Sequence, residues 1–89
     1  VPQEAVEELR RLRLYGLNTP VEYGGSGRSM LETAVCIEAL GHAHIALYYH
    51  CGVNVHIGSK PIELAGSEPL KREWLPRIAT GEVVSAFAL

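Results

Sequence analysis

A chain of 89 residues makes one small domain at most, and a domain this short leaves much of its apolar surface in partial contact with water, so a partner surface is expected. A net charge of -2, with basic residues scattered apart from Arg10-Arg11-Leu12-Arg13, excludes the broad one-sided basic field of a nucleic-acid binder. The most apolar stretch, Ile45 to Ile57, is broken by His50, Asn54 and His56 and is shorter than the ~20 residues of a transmembrane helix.

Residues 3–14 carry Val6, Leu9 and Leu12 at three-residue steps, with acids early and arginines late. This predicts an amphipathic helix matched to its own dipole, the arginine cluster lying on its wet face. Gly16 ends it, and the segment from Leu17 to Gly27 is a turn-rich loop, since Pro20 restrains Thr19 and the glycines permit positive φ. Ser29-Met30-Leu31-Glu32 matches a capping box, so a helix is expected from about Met30 to Leu40, with Gly41 as its C-cap. Residues 44–58 are apolar nearly all round, the mark of a helix enclosed by others. Gly52 and Gly58 interrupt that helix, and a helical glycine is costly unless something must approach closely.

Ser59-Lys60-Pro61 starts a short helix ending at Gly66, and Ser67-Glu68-Pro69 starts another; both place a serine N-cap before a first-turn proline. Pro76 is expected to bend or divide the last helix, and Gly81 to close it. The run from Val83 to Leu89 then reads as an apolar strand with no upstream partner of comparable quality, so the chain is expected to be a piece whose partner strands lie beyond residue 89. The predicted fold class is mainly α: a bundle of five or six helices over residues 1–81, with residues 82–89 beginning a β domain.

Four histidines, His42, His44, His50 and His56, invite a metal reading. Their spacing argues against it. His50 and His56 lie about 240° apart round a helix, and no carboxylate accompanies them at zincin-type spacing, so no metal ligand is assigned. Gly24-Gly25-Ser26-Gly27-Arg28-Ser29 lacks the Gly-Lys-Ser/Thr ending of a phosphate-binding loop and the third glycine of a dinucleotide fingerprint, and reads as a structural turn presenting Tyr23 to the bundle. Ser26 lacks a nucleophile elbow. Cys36 and Cys51 lie in apolar runs without metal-type spacing and read as buried free thiols. Glu38 and Glu63 are acids in apolar surroundings with structural roles preferred, and no catalytic residue is assigned.

The order of these features carries more than any one of them. The loop Gly16 to Gly27 with its "PVEYGGSG" core, the buried helix, the run Leu64 to Glu82 ending in "LPRIATGE" and the final Val84 to Leu89 together resemble the N-terminal part of the acyl-CoA dehydrogenase family, over essentially the whole chain. The resemblance implies a helical N-terminal domain that continues into a central β domain and a C-terminal helical domain, usually in homotetramers. It implies oxidation of the Cα–Cβ bond of an acyl-CoA thioester, with a glutamate removing the α proton, FAD accepting the β hydride, and an electron-transferring flavoprotein taking the electrons. Phe87 and Leu89 match the start of the flavin-contacting strand. The helix matches the one that walls the acyl cavity, with Tyr49, His50, Val53, Asn54 and Ile57 as candidate substrate neighbours. The catalytic glutamate of most members lies in the C-terminal domain, so neither Glu38 nor Glu63 inherits it. An acyl-CoA oxidase or flavin monooxygenase relative, or a flavin-free helical interaction module, are the rival readings. The expected compartment is the cytoplasm of a bacterium or the mitochondrial matrix of a eukaryote.

Overall fold

The computed structural model describes residues 2–86 and 88. Five α-helices form among them: α1 (Gln3–Arg11), α2 (Met30–Ala43), α3 (Ile45–Val55), α4 (Lys60–Ala65) and α5 (Glu68–Thr80), with short 3-10 turns at Leu14–Gly16 and Val21–Tyr23.

α1 buries Val6 and Leu9 and stops at Arg11, earlier than its periodicity suggests, because Arg13 turns into the left-handed region (φ 61°). That reversal drops Tyr15 into the core, where it is completely buried against Leu9 and Cys51. The backbone on either side fits tightly against the end of α5. A Cβ on Gly16 would stand 2.8 Å from the Ala79 side chain, and one on Gly81 would stand 2.5 Å from the Tyr15 ring. The Arg10 Nε–H closes the junction by donating to the Gly81 carbonyl at 3.1 Å.

The glycine loop is structural, as its sequence suggests. The Ser26, Gly27 and Arg28 amides donate back to the Gly16, Thr19 and Leu17 carbonyls at 2.8, 2.9 and 2.8 Å. Tyr23 is buried with its hydroxyl 2.9 Å from both Glu68 carboxylate oxygens, which pushes the phenol pKa up. The capping box forms: Ser29 Oγ accepts from Glu32 N–H at 3.1 Å, and Glu32 Oε1 accepts from Ser29 N–H at 3.0 Å, holding that carboxyl below its usual range.

Four local expectations are corrected. α2 runs through Gly41 to Ala43, because His44 provides a better stop: its extended backbone ends α2 while its Nδ1 accepts from Ala46 N–H at 3.0 Å and starts α3. Ser59 does not cap α4; its hydroxyl bonds back to the Val55 carbonyl at 3.3 Å, whereas Ser67 does cap α5. α5 is not divided at Pro76 and ends at Gly81, whose φ of 80° is the left-handed cap expected of glycine. Finally, the segment after Gly81 forms no strand ladder among the described residues, since a strand needs a partner and none is present there. It is nevertheless held: Val83 N–H donates to the Arg77 carbonyl at 3.2 Å. No helix among the described residues is long and apolar enough to cross a membrane.

Candidate functional site

α3 is the element on which the candidate residues meet. It packs on α2 and on the Tyr15 turn, burying Cys51, Asn54 and Val55. It is not enclosed all round. Tyr49 and Ile57 are 63% and 50% exposed, although they are large and apolar, and Val53 between them is half-buried. Steps of four residues advance only about 40° round a helix, so Tyr49 and Val53 share one outward stripe, which Ile57 in the turn after α3 joins as a wall of the same hollow, while His50 and Asn54 lie about 100° away from it.

The outward stripe encloses a hollow of about 160 Å³, lined by Tyr48, Tyr49, Gly52, Val53, His56 and Ile57. Its mouth is framed by the Tyr48 and Tyr49 rings, 5.3 Å apart and edge to face at 87°. Gly52 forms its floor, and a Cβ built there would meet no atom within 4 Å. Gly58, the other glycine of this stretch, behaves oppositely, since a Cβ on it would collide with Ser85 Oγ. Close approach within this chain therefore explains Gly58 and leaves Gly52 unexplained. With mostly apolar walls, the two tyrosines and one imidazole, the hollow suits an alkyl group, and no charged side chain lines it.

His50 and Asn54 face the other way. The His50 Nδ1 lies 3.2 Å from the Tyr15 hydroxyl, the rings edge to face at 5.6 Å. Burial pushes the Tyr15 phenol pKa up. Asn54 is wholly buried and uses its full hydrogen-bonding capacity. Its Nδ2 donates to the Ile78 and Val83 carbonyls at 3.0 and 2.8 Å, and its Oδ1 accepts from the Ser85 amide and hydroxyl at 2.9 and 3.0 Å. The side chain thus clasps the end of α5 and the segment after it onto α3. Ser85 can come that close only because Gly58 has no side chain.

Phe87 and Leu89 lie outside the described residues. The clasp delivers the segment leading to them to the surface, with Val84 and Ala86 exposed. Neither Glu63 nor Glu38 lines the hollow: Glu63 pairs with Lys60 at 3.0 Å, and Glu38 is exposed beside His42 at 3.8 Å. Among the described residues no three His, Cys, Asp or Glu groups converge as a metal site. Both cysteines are free, and burial raises the Cys51 thiol to about 11.

Sequence reasoning placed two positions incompletely: Gly52 was noted but not assigned to the site, and Asn54 was named a substrate neighbour although it clasps this chain from within. Gly52 had a readable signal, a helix-breaking residue inside an otherwise apolar helix. Asn54 had one also, since a lone amide in an apolar run needs buried partners, but those partners lie 24 to 31 residues away and their identity comes only from the packing.

The sequence model of the acyl-CoA dehydrogenase N-terminal domain matches residues 1–82. A probable acyl-CoA dehydrogenase of Bacillus subtilis is 42% identical over 79 residues, covering 88% of this chain and 13% of that protein. The mitochondrial very long-chain specific acyl-CoA dehydrogenase of Rattus norvegicus is 34% identical over 89 residues, covering 100% of this chain and 14% of the rat protein. A crystal structure of an acyl-CoA dehydrogenase complexed with FAD from Bacillus anthracis superimposes with a TM-score of 0.80 at 38% identity, covering 90% of this chain and 14% of that one. The chain therefore spans about one-seventh of the length of these relatives. Matched over nearly its whole length and in its fold, the chain belongs to the acyl-CoA dehydrogenase family and corresponds to its N-terminal helical domain.

Proposed function

We propose that this chain is the N-terminal domain of an FAD-dependent acyl-CoA dehydrogenase, in which the outer stripe of α3 walls the acyl cavity and the segment after α5 leads to the edge of the flavin site. The observation that carries the reading is Gly52. A glycine inside a helix costs about 1 kcal/mol relative to alanine, yet a Cβ there would meet no atom from another part of the chain within 4 Å, and Gly52 lines the apolar hollow. A methyl group there would take room that a ligand needs.

The parent reaction would convert an acyl-CoA to the 2-enoyl-CoA. Bound FAD supplies the acceptor for the hydride leaving Cβ. The described residues fit only the rim of its site, as the segment after α5 that Asn54 anchors and that precedes Phe87 and Leu89 in the chain. Tyr49, Val53 and Ile57 hold the alkyl chain and exclude water from it. His50 and Asn54 act as positioning residues, stiffening α3 from behind. Abstraction of the α proton is assigned to the remaining domains of the parent, because neither Glu38 nor Glu63 lines the hollow. Assembly as a homotetramer, electron transfer to an electron-transferring flavoprotein, and a location in the bacterial cytoplasm or mitochondrial matrix accompany this reading.

The test uses the full-length parent purified with bound flavin. Anaerobic addition of straight-chain acyl-CoAs should bleach the flavin's visible band and release the 2-enoyl product. Rapid reoxidation by dioxygen would favour the oxidase reading, and no bleaching with any acyl-CoA would overturn the proposal.

A further inference from the structure

The junction where α1, the glycine loop and the end of α5 meet holds a separate recess of about 70 Å³, whose wall includes Arg10, Arg13, Gly24, Gly25, Ser26 and Thr80. Two arginines three residues apart thus share one small space. Arg11, Arg28 and Arg72 each pair with a carboxylate and Arg77 stacks on Trp74, but neither Arg10 nor Arg13 has a carboxylate partner among the described residues. Arg10 is oriented by the bond from its Nε–H to the Gly81 carbonyl at 3.1 Å, which leaves the two terminal nitrogens of the fork to donate elsewhere. Arg13 is the only residue other than glycine with positive φ, at 61°, among the described residues. The reversal after α1 needs that backbone but not that side chain, since glycine or asparagine adopts it more readily. An arginine there brings a second cation to the recess.

We propose that this recess binds one phosphate-type oxyanion, either free phosphate or the phosphate end of a small monoester, held between the Arg10 and Arg13 guanidiniums with the Ser26 hydroxyl as a third donor. Charge selects the occupant: two uncompensated cations at one recess repel each other and raise a local positive potential that an anion relieves. The guanidinium fork matches phosphate oxygens in geometry as well as in charge, and a dianion answers two cations where a single carboxylate answers one. The volume admits only the phosphate group, since about 70 Å³ is room for a few water-sized atoms and not for a nucleoside. The site is not a phosphate-binding loop. The Gly24, Gly25 and Ser26 amides already donate to the Val21, Pro20 and Gly16 carbonyls at 3.0, 3.1 and 2.8 Å, so side chains do the binding. A bound anion would join α1 to the glycine loop and to α5 beside its Gly81 cap.

The test is calorimetric titration of the full-length parent with inorganic phosphate at constant ionic strength, which needs no turnover and so stands apart from the acyl-cavity reading. Wild type should bind one more phosphate per chain than Arg13→Asn, or bind it at least about tenfold more tightly, the size of a lost charge-assisted contact. Asparagine tolerates the left-handed backbone, so Arg13→Asn should keep the wild-type Tm in phosphate-free buffer. Arg13→Lys, which keeps the charge but not the fork, should recover part of the affinity. Competition by glycerol 3-phosphate then distinguishes the two sources: displacement of phosphate supports a site open to monoesters, and failure to displace it supports one for free phosphate. Equal phosphate binding by wild type and Arg13→Asn would overturn the proposal. So would no binding by wild type, and a lower Tm of Arg13→Asn in that case would assign the two arginines to a carboxylate of the remaining domains.

Discussion

Replacing Asn54 with aspartate removes both N–H donors with almost no change in shape, so it tests the clasp without opening a cavity. The Ile78 carbonyl, bonded to Asn54 at 3.0 Å in a fully buried position, would lose its partner, at about 1–3 kcal/mol. The Val83 carbonyl at 2.8 Å is part-buried and can recover water. The larger effect is charge: an ionised carboxylate would face two carbonyl oxygens in a wholly buried site, and an uncompensated buried charge costs about 3–5 kcal/mol. The sum, at least about 4 kcal/mol at pH 7, is comparable to the whole stability of a small domain. The sign of its pH dependence follows from burial, which raises the folded-state pKa of the introduced carboxyl above its unfolded value of ~3.9. Below the unfolded value the carboxyl is neutral in both states and the charge penalty vanishes; as pH rises through the folded value the penalty reaches its full size. Urea unfolding followed by helical circular dichroism, comparing the Asn54→Asp variant with wild type at about pH 3 and pH 7, should show a deficit that grows by several kcal/mol between them. A variant within about 1 kcal/mol of wild type at pH 7, or a deficit independent of pH, would refute the clasp.

Three further outcomes are expected. Val53→Trp in the parent should reduce kcat/KM for long acyl-CoAs at least about tenfold relative to short ones; a uniform loss accompanied by a lower Tm would make Val53 an ordinary packing residue. Ser29→Ala removes the observed acceptor for the Glu32 amide and should destabilise the fold by about 1 kcal/mol in urea unfolding, with no detectable change contradicting a formed capping box. Of the two free thiols, half-buried Cys36 should react with a thiol reagent while Cys51, raised by burial to about 11, stays protected up to about pH 9 and reacts only on denaturation; equal rates would contradict the core described around Tyr15.

Much of the fold was legible because it is written in local chemistry. The Ser29/Glu32 box, the Ser67 cap and the Gly81 terminus act within one turn of their helix, so sequence spacing suffices to find them. His44 was harder, since its capping role depends on imidazole standing in for the usual serine or aspartate. The enclosure of α3 was misjudged for an informative reason: hydrophobicity all round shows that a helix avoids water without showing what covers it, and here Tyr49, Val53 and Ile57 are left open. The family resemblance pointed to α3 as the pocket wall without giving its rotation. Only packing showed that His50 and Asn54 turn inward, towards Tyr15, Ile78, Val83 and Ser85, all distant in sequence.

The most direct measurement is photolabelling of the flavin-loaded parent with a long-chain acyl-CoA bearing a diazirine near its terminal carbon. Illumination and peptide mass spectrometry should place the adduct on the peptide spanning Tyr48 to Ile57, with competition by unlabelled long-chain acyl-CoA removing it. Labelling that is competed away yet falls wholly outside α3 and its following turn would contradict the claim that the outer stripe of α3 walls the acyl cavity.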